Sequence, residues 1–399
     1  MRPGRLIGSV GSILIGTAAV AACASAPGAA SEEIVIGMAQ PMSGPVASAG
    51  QAVVHGAEIA VEKINDEGGV NGRKIKLVVE DDANDPATCV SVAQRLAQQA
   101  QASAIIGGWG SSCTLAMQPV LERAGVPLLV ETSSSDKITD PDDSGSEWTF
   151  RMSPAASMEA IATAPILAEM GVKKVFTMSV NNDFGLGTAA SYERALPEVG
   201  IDVIGGVKFD QAEQSFSTFV TKAKASGADT WVVTTDVGQI ALLLKEAKGQ
   251  GADAAIVTAG GSNNPLQVME LAREAAADNT YANVFFPWFD TSLAADPEDA
   301  EAFSQAWDEA GHELGENTEG VRGYQAIKVL AAAFEDVEDP ADRTQVRDAL
   351  SEVELAGAAY GNISFGAWHD LENQVLPPVF LVRTTGGEVE LQGVGEPPY

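Results

Sequence analysis

The chain is 399 residues long, 45% hydrophobic and strongly acidic, with a formal net charge of −31 at pH 7. That length has room for two ordinary domains, and that charge is a poor match for nucleic acid or an anionic lipid surface. The acidic excess is spread along the sequence, as solubility chemistry is, and forms no metal-binding cluster.

The N-terminus has the form of an export leader. Arg2 and Arg5 make a basic start, 6–20 is apolar but diluted by Gly, Ser and Thr, and Val20-Ala21-Ala22-Cys23 resembles a bacterial lipobox. This predicts a signal peptide over 1–22, lipid on Cys23 and a small-residue spacer over 23–33. The apolar stretch is too short and interrupted to span a bilayer. The mature protein is therefore expected outside the cytoplasm, held to the membrane by its lipid anchor alone. After Cys23 the sequence holds two cysteines, Cys89 and Cys113. Two thiols in an exported chain most simply pair, and two separate buried thiols are the alternative.

A strand at 34–39 leads through the loop 40–45 into a helix over 50–65. The turn cluster 66–72 precedes an alternating strand at 74–80, and Asp85-Pro86 opens a helix running to about 100. The stretch Ala104-Ile105-Ile106-Gly107-Gly108-Trp109-Gly110-Ser111-Ser112-Cys113-Thr114 then reads as strand, tight turn and helix start. A second strand end repeats the chemistry, with 126–130 running into Glu131-Thr132-Ser133-Ser134-Ser135. In an open α/β sheet, ligands bind beyond the carboxyl ends of the strands. Hydroxyls, backbone amides and a helix N-terminus gathered there suit an anion, and a carboxylate is the simplest.

The alternation restarts after 150–154. Helices are expected at 159–170, 189–200, 216–226 and 237–249, interleaved with strands at 174–180, 202–209, 230–235 and 254–258. The pattern predicts an α/β protein with two doubly wound parallel sheets. An aromatic passage at 281–290 follows, then helical patterns at 297–310, 319–334 and 341–352, and strands at 362–367 and 378–384. Enzyme chemistry finds little support. Gly108-Trp109-Gly110 half matches a dinucleotide fingerprint, but its third glycine is Cys113. There is no Gly-x-Ser-x-Gly elbow, and His55, His312 and His369 are scattered without metal spacing. No catalytic residue, metal or cofactor is therefore expected.

The order of these features resembles the solute-binding proteins of ABC transporters, and among them the leucine/isoleucine/valine-binding, type I periplasmic-binding family. The matching pieces are Gln40-Pro41-Met42-Ser43-Gly44-Pro45, Gly68-Gly69-Val70-Asn71-Gly72-Arg73, Asp81-Asp82 with Pro86, Ile105-Ile106-Gly107 with Ser111-Ser112, and Asp183-Phe184-Gly185-Leu186-Gly187. The resemblance implies two lobes joined by a three-strand hinge, 34–150 plus 285–360 and 151–284 plus 361–399, with crossings near Phe150, Phe285 and Tyr360. It implies closure of the lobes around a ligand. It puts carboxylate binding on Ser111, Ser112, Ser133 and Ser135, and a covering ring on Phe184. Trp109 lies beside the first loop, within reach of a side chain. Amino-acid binders of the family pair the ligand ammonium with an acid where this chain has Ala259-Gly260-Gly261-Ser262. Asp236 is the nearest substitute, and a helix cap is its alternative role. The expected function is a monomeric importer component that captures a small carboxylate solute, most simply a branched-chain or other amino acid, and passes it to a membrane permease. Urea, short amides and aromatic carboxylates are alternative ligands, and ligand sensing is an alternative use of the same lobes.

Overall fold

The computed structural model describes Met1 and residues 33–261, 264–276, 280–386 and 388–398. The leader and Cys23 lie outside the described residues. The first five strands of the chain pair parallel in the first sheet: β1 (Ile34–Gln40), β2 (Ile75–Asp81), β3 (Ala104–Ile106), β4 (Leu128–Val130) and β5 (Thr149–Arg151). They are linked by α1 (Ala47–Asp66), α2 (Pro86–Gln98) and α3 (Ser111–Ala124). β1, β3, β4 and β5 are largely buried because helices cover both faces, while β2 at the sheet edge is only partly covered. Asp85 caps α2 by accepting from the Thr88 amide, with Pro86 in the first turn.

The second unit repeats the plan. α4 (Ala156–Glu169) leads to β6 (Lys174–Val180), α5 (Asp183–Glu198), β7 (Asp202–Phe209), α6 (Ser217–Ser226), β8 (Thr230–Thr234), α7 (Val237–Gly249), β9 (Ala255–Thr258), α8 (Pro265–Ala272) and β10 (Thr280–Val284). The chain then returns to the first unit with α9 (Pro297–Glu309), α10 (Asn317–Glu335) and α11 (Arg343–Ser351), and a small hairpin of β11 (Glu354–Ala356) and β12 (Asn362–Ser364). It ends in β13 (Gly366–Trp368), β14 (Leu371–Gln374), β15 (Val379–Thr385) and β16 (Glu388–Gly395).

The two sheets have seven strands each, in the orders β13-β14-β5-β4-β3-β1-β2 and β16-β15-β10-β9-β8-β6-β7. In both, the order reverses beside the first strand, between β1 and β3 and between β6 and β8. A crevice opens at such switch points. α10 seats on α1 through glycines: a Cβ on Gly56 would run into the Gly320 carbonyl, and one on Gly323 into the Val53 carbonyl. This close approach brings the start of α10, with Glu319 and Arg322, up to the cleft.

The tail corrects one expectation. The segment 361–399 does not join the second sheet as a block. β13 and β14 extend the first sheet, beside β5, and the chain reaches the second sheet only with β15. The cause is a buried guanidinium. Arg151 on β5 is fully buried and donates to the Gln374 side chain on β14, to Thr139 Oγ1 and to the Ser135 carbonyl. An interior cation without those acceptors would be costly, so Arg151 holds the tail to its own sheet. Aromatic residues pack the crossovers, with Phe150 edge-on to Phe365 at 5.3 Å and Phe285 against Tyr360 at 6.5 Å.

Candidate functional site

A cavity of about 320 Å³ lies where the carboxyl ends of the two sheets face each other. From the first unit it is lined by Asn84 after β2, the 109–112 turn after β3, and Thr132, Ser133 and Ser134 after β4. From the second it is lined by Asn181, Asn182 and Phe184 after β6, Gln211 after β7 and Gly260 after β9. Among the described residues no acidic or basic side chain lines it.

The start of α3 opens onto the cavity. Gly110 is its N-cap and offers no side chain, and while the Cys113 amide donates to the Gly110 carbonyl, the Ser111 and Ser112 amides are left without a protein acceptor. The Ser111 hydroxyl accepts from the Ser135 amide at 3.2 Å, which ties the two serine loops together. Ser112 reaches across the cleft, its Oγ donating to Asp183 Oδ2 at 2.7 Å. Ser133 turns inward, its hydroxyl 2.8 Å from the Gly108 carbonyl and 2.7 Å from Thr114 Oγ1. Ser134 is buried, lines the cavity, and its hydroxyl has no protein partner. A buried hydroxyl in that position awaits one.

Five residues singled out from sequence therefore line the cavity: Trp109, Ser111, Ser112, Ser133 and Phe184. Two do not. Ser135 lies behind the wall, bonded through its backbone to Ser111 and Arg151. Asp236 caps α7, accepting from the Gln239 amide at 3.0 Å, and is no part of the cavity wall. Burial raises its pKa, partly opposed by the helix amides it accepts from. Ser262 lies outside the described residues. Sequence reasoning missed Ser134. In a run of three serines, backbone direction decides which of them line the cavity, and composition carries no sign of it. It also missed Asn84, Asn181, Asn182 and Gln211, which follow strands β2, β6 and β7 as the switch-point rule would have placed them.

Phe184 presents its ring edge to Gly260, where a Cβ would strike Cζ and Cε2. Gly260 adopts φ +100, open to glycine at little cost, and donates its amide to both oxygens of Glu159 at 2.9 Å. Glu159 is fully buried and also accepts from Asn283 and Tyr192. Its pKa is raised by burial, against the pull of those donors. The wall opposite Phe184 is Trp109, whose indole N–H donates to Glu319 Oε2 at 2.9 Å.

Behind the cavity the disulfide Cys89–Cys113 joins α2 to the first turn of α3. Asp82 lies close enough to both sulfurs to share an ion, but the disulfide occupies them. Burial pushes the Asp82 carboxyl up to about 6.

Two α/β lobes meeting across a ligand-sized cleft define a two-lobed binding protein. The chain matches the periplasmic binding protein family model over residues 33–388, and it belongs to that family. It is 30% identical to the amino acid binding protein of Pseudomonas aeruginosa over 306 residues, 76% of this chain and 78% of that one. It is 27% identical to the leucine-, isoleucine-, valine-, threonine- and alanine-binding protein of the same organism, over 86% of this chain and 88% of that one. The branched-chain amino acid transporter substrate-binding protein LivJ of Streptococcus pneumoniae, solved with isoleucine, superposes with a TM-score of 0.79 at 25% identity, covering 91% of this chain and 99% of that one. A Rhodopseudomonas palustris solute-binding protein solved with benzoate gives 0.80 at 21% identity, over 92% and 97%. Among the described residues no helix is long and apolar enough to cross a membrane.

Proposed function

We propose that this protein is the extracytoplasmic capture subunit of an ABC importer, tethered through a lipidated Cys23, and that it binds a small carboxylate between its lobes. The observation that carries the reading is the uncapped start of α3 beside the unpartnered Ser134 hydroxyl, in a cavity with no charged wall among the described residues. Amides and hydroxyls bonded to a carboxylate contribute about 1.5–3 kcal/mol each, so a few such bonds hold it. The rest of the ligand would lie between Trp109 and Phe184 and meet the amide side chains of Asn84, Asn181, Asn182 and Gln211. An ammonium shut into that cavity would lack a carboxylate partner among the described residues, which is costly. The geometry therefore favours a carboxylate with an uncharged tail, an aromatic acid being the simplest that fits two ring walls.

An amino acid is the second reading, favoured by the names of the relatives. Titration calorimetry against isoleucine, leucine, benzoate, 4-hydroxybenzoate and benzamide separates the two. Binding of the acids with none of benzamide, the neutral isostere, supports the first reading. Binding of isoleucine or leucine alone supports the second. Binding of benzamide as tightly as benzoate would overturn the carboxylate site.

A further inference from the structure

The Arg322 guanidinium gathers groups from both lobes and from two of the crossovers between them. It lies on α10, one turn after Glu319, with Nε 3.5 Å from Glu319 Oε1, and both side chains are buried. Its Nη2 crosses to the second unit and donates to the Gly261 carbonyl at 2.8 Å. Its Nη1 lies 3.4 Å from the Glu131 carbonyl, which also accepts from the Tyr360 hydroxyl at 2.6 Å. The guanidinium lies over the rings of Phe285 and Tyr360, at 5.9 and 6.0 Å from their centroids, and both belong to the crossovers. A planar five-donor group can hold this many acceptors in fixed directions, and an ammonium cannot.

Two of these contacts end in the cavity wall. Glu319 accepts from the Trp109 indole, and Trp109 faces the cavity from the first unit. Gly261 follows Gly260, which faces it from the second. Gly261 itself leaves no room for movement on its near side, because a Cβ there would strike the Phe285 ring. The chain Trp109–Glu319–Arg322–Gly261 is polar and, beyond the half-buried Trp109, buried, and it runs behind the cavity from one wall to the other.

We propose that Glu319 and Arg322 are positioning residues that couple the Trp109 wall to the Gly260–Gly261 wall, so that the placement of one ring face depends on the seating of the opposite loop. Neither residue lines the cavity. The pair acts through Trp109 and Gly261, with Arg322 joining the first lobe to the Gly261 carbonyl of the second. The proposal rests on the cavity being the ligand cleft, but not on which solute it takes.

The test is a double-mutant cycle read in ligand-free protein. The reporter is the ¹⁵N–¹H signal of the Trp109 indole, assigned by its loss in W109F. Glu159→Gln disturbs the Gly260 loop from its far side, in the second unit. It should shift the Trp109 signal in the wild-type background, and that shift should fall by about half or more in an Arg322→Lys background. A merely structural Arg322 would leave the two effects additive. Should R322K not fold, the cycle is repeated with Glu319→Gln, whose amide oxygen still accepts from the indole but which loses the ionic hold on Arg322, and the same fall is expected. An equal shift in both backgrounds, or no Trp109 response to E159Q in folded protein, overturns the proposal. Because no ligand is added, a failed solute screen leaves this result intact, and a failed cycle leaves the carboxylate reading intact.

Discussion

Ser112 and Asp183 meet across the cleft, the serine hydroxyl donating to Asp183 Oδ2 at 2.7 Å while the Asp183 amide donates to Ser112 Oγ at 3.4 Å. The first turns of α3 and α5, one from each lobe, are thereby latched together. Lys137 adds an ion pair to Asp183 at 3.5 Å, and Arg194 one to Asp136 at 3.6 Å. All four of these charged groups are partly exposed, so their pairing is screened and weak. Ser112→Ala should therefore cost about 1 kcal/mol of closure, roughly a fivefold loss of affinity for a bound solute. Small-angle scattering checks the cause: the mutant should need more ligand to reach the same compact form. A mutant that closes at wild-type ligand concentration would remove Ser112 from the latch.

Much of this fold was legible in order and little of it in pairing. Strand–helix alternation gave two parallel sheets because strands such as Ala104–Ile106 and Thr230–Thr234 are short β-branched runs ended by glycine or a hydroxyl residue. The destination of the tail was not legible, since it depends on Arg151 finding Gln374 some two hundred residues on. The 109–112 turn could be read from Gly-Trp-Gly-Ser-Ser, because a helix start beyond a strand is a local pattern. Glu319 and Arg322 could not. On sequence they are an ordinary i, i+3 pair on a helix, and their burial exists only because glycines let α10 settle onto α1.

Ser134 and Ser135 are adjacent and should behave differently. Ser134→Ala removes a buried hydroxyl that bonds nothing else, on a residue that lines the cavity, so folding stability should hold while carboxylate binding falls tenfold or more, about 1.5–3 kcal/mol. Ser135→Ala leaves intact the backbone groups through which Ser135 bonds Ser111 and Arg151, and affinity should change by less than about threefold. Calorimetry of the two variants against one ligand decides it. Equal losses would mean that the wall is drawn wrongly.

Glu131 makes stability fall as pH rises. It is fully buried, and desolvation pushes its carboxyl up to about 7 from 4.5, against the bonds from Gln40 and the charge of Arg322. The folded state thus holds the proton more tightly than the unfolded chain. Its contribution is most favourable below about 4.5, is lost between 4.5 and 7, and is flat above, for a span of roughly 3 kcal/mol. Asp82, pushed up to about 6 by burial, adds a slope of the same sign. Glu131→Gln should therefore flatten the decline without abolishing it. By scanning calorimetry, its melting temperature should exceed wild type at pH 8 and converge with it near pH 4.5. Parallel curves for mutant and wild type would show that Glu131 does not titrate in this range.

The disulfide Cys89–Cys113 should matter to the cleft as much as to the fold. It closes a loop with a sequence separation of 24, and its loss should cost about 3 kcal/mol in denaturant titrations. Its position adds a second effect. Asn84 and Pro86 line the cavity just before Cys89, and Gly110, Ser111 and Ser112 just before Cys113, so the bond clamps two stretches of one wall. A Cβ on Gly108 would press on the Cys113 side chain, so the turn is already packed tightly against the bridge. The double variant with Cys89→Ala and Cys113→Ala should therefore lose affinity under conditions where it is still fully folded, as the α3 start drifts from the Asn84 loop. Calorimetry at a temperature well below unfolding, with circular dichroism to verify the fold, separates the two effects. Wild-type affinity in the folded variant would confine the disulfide to stability.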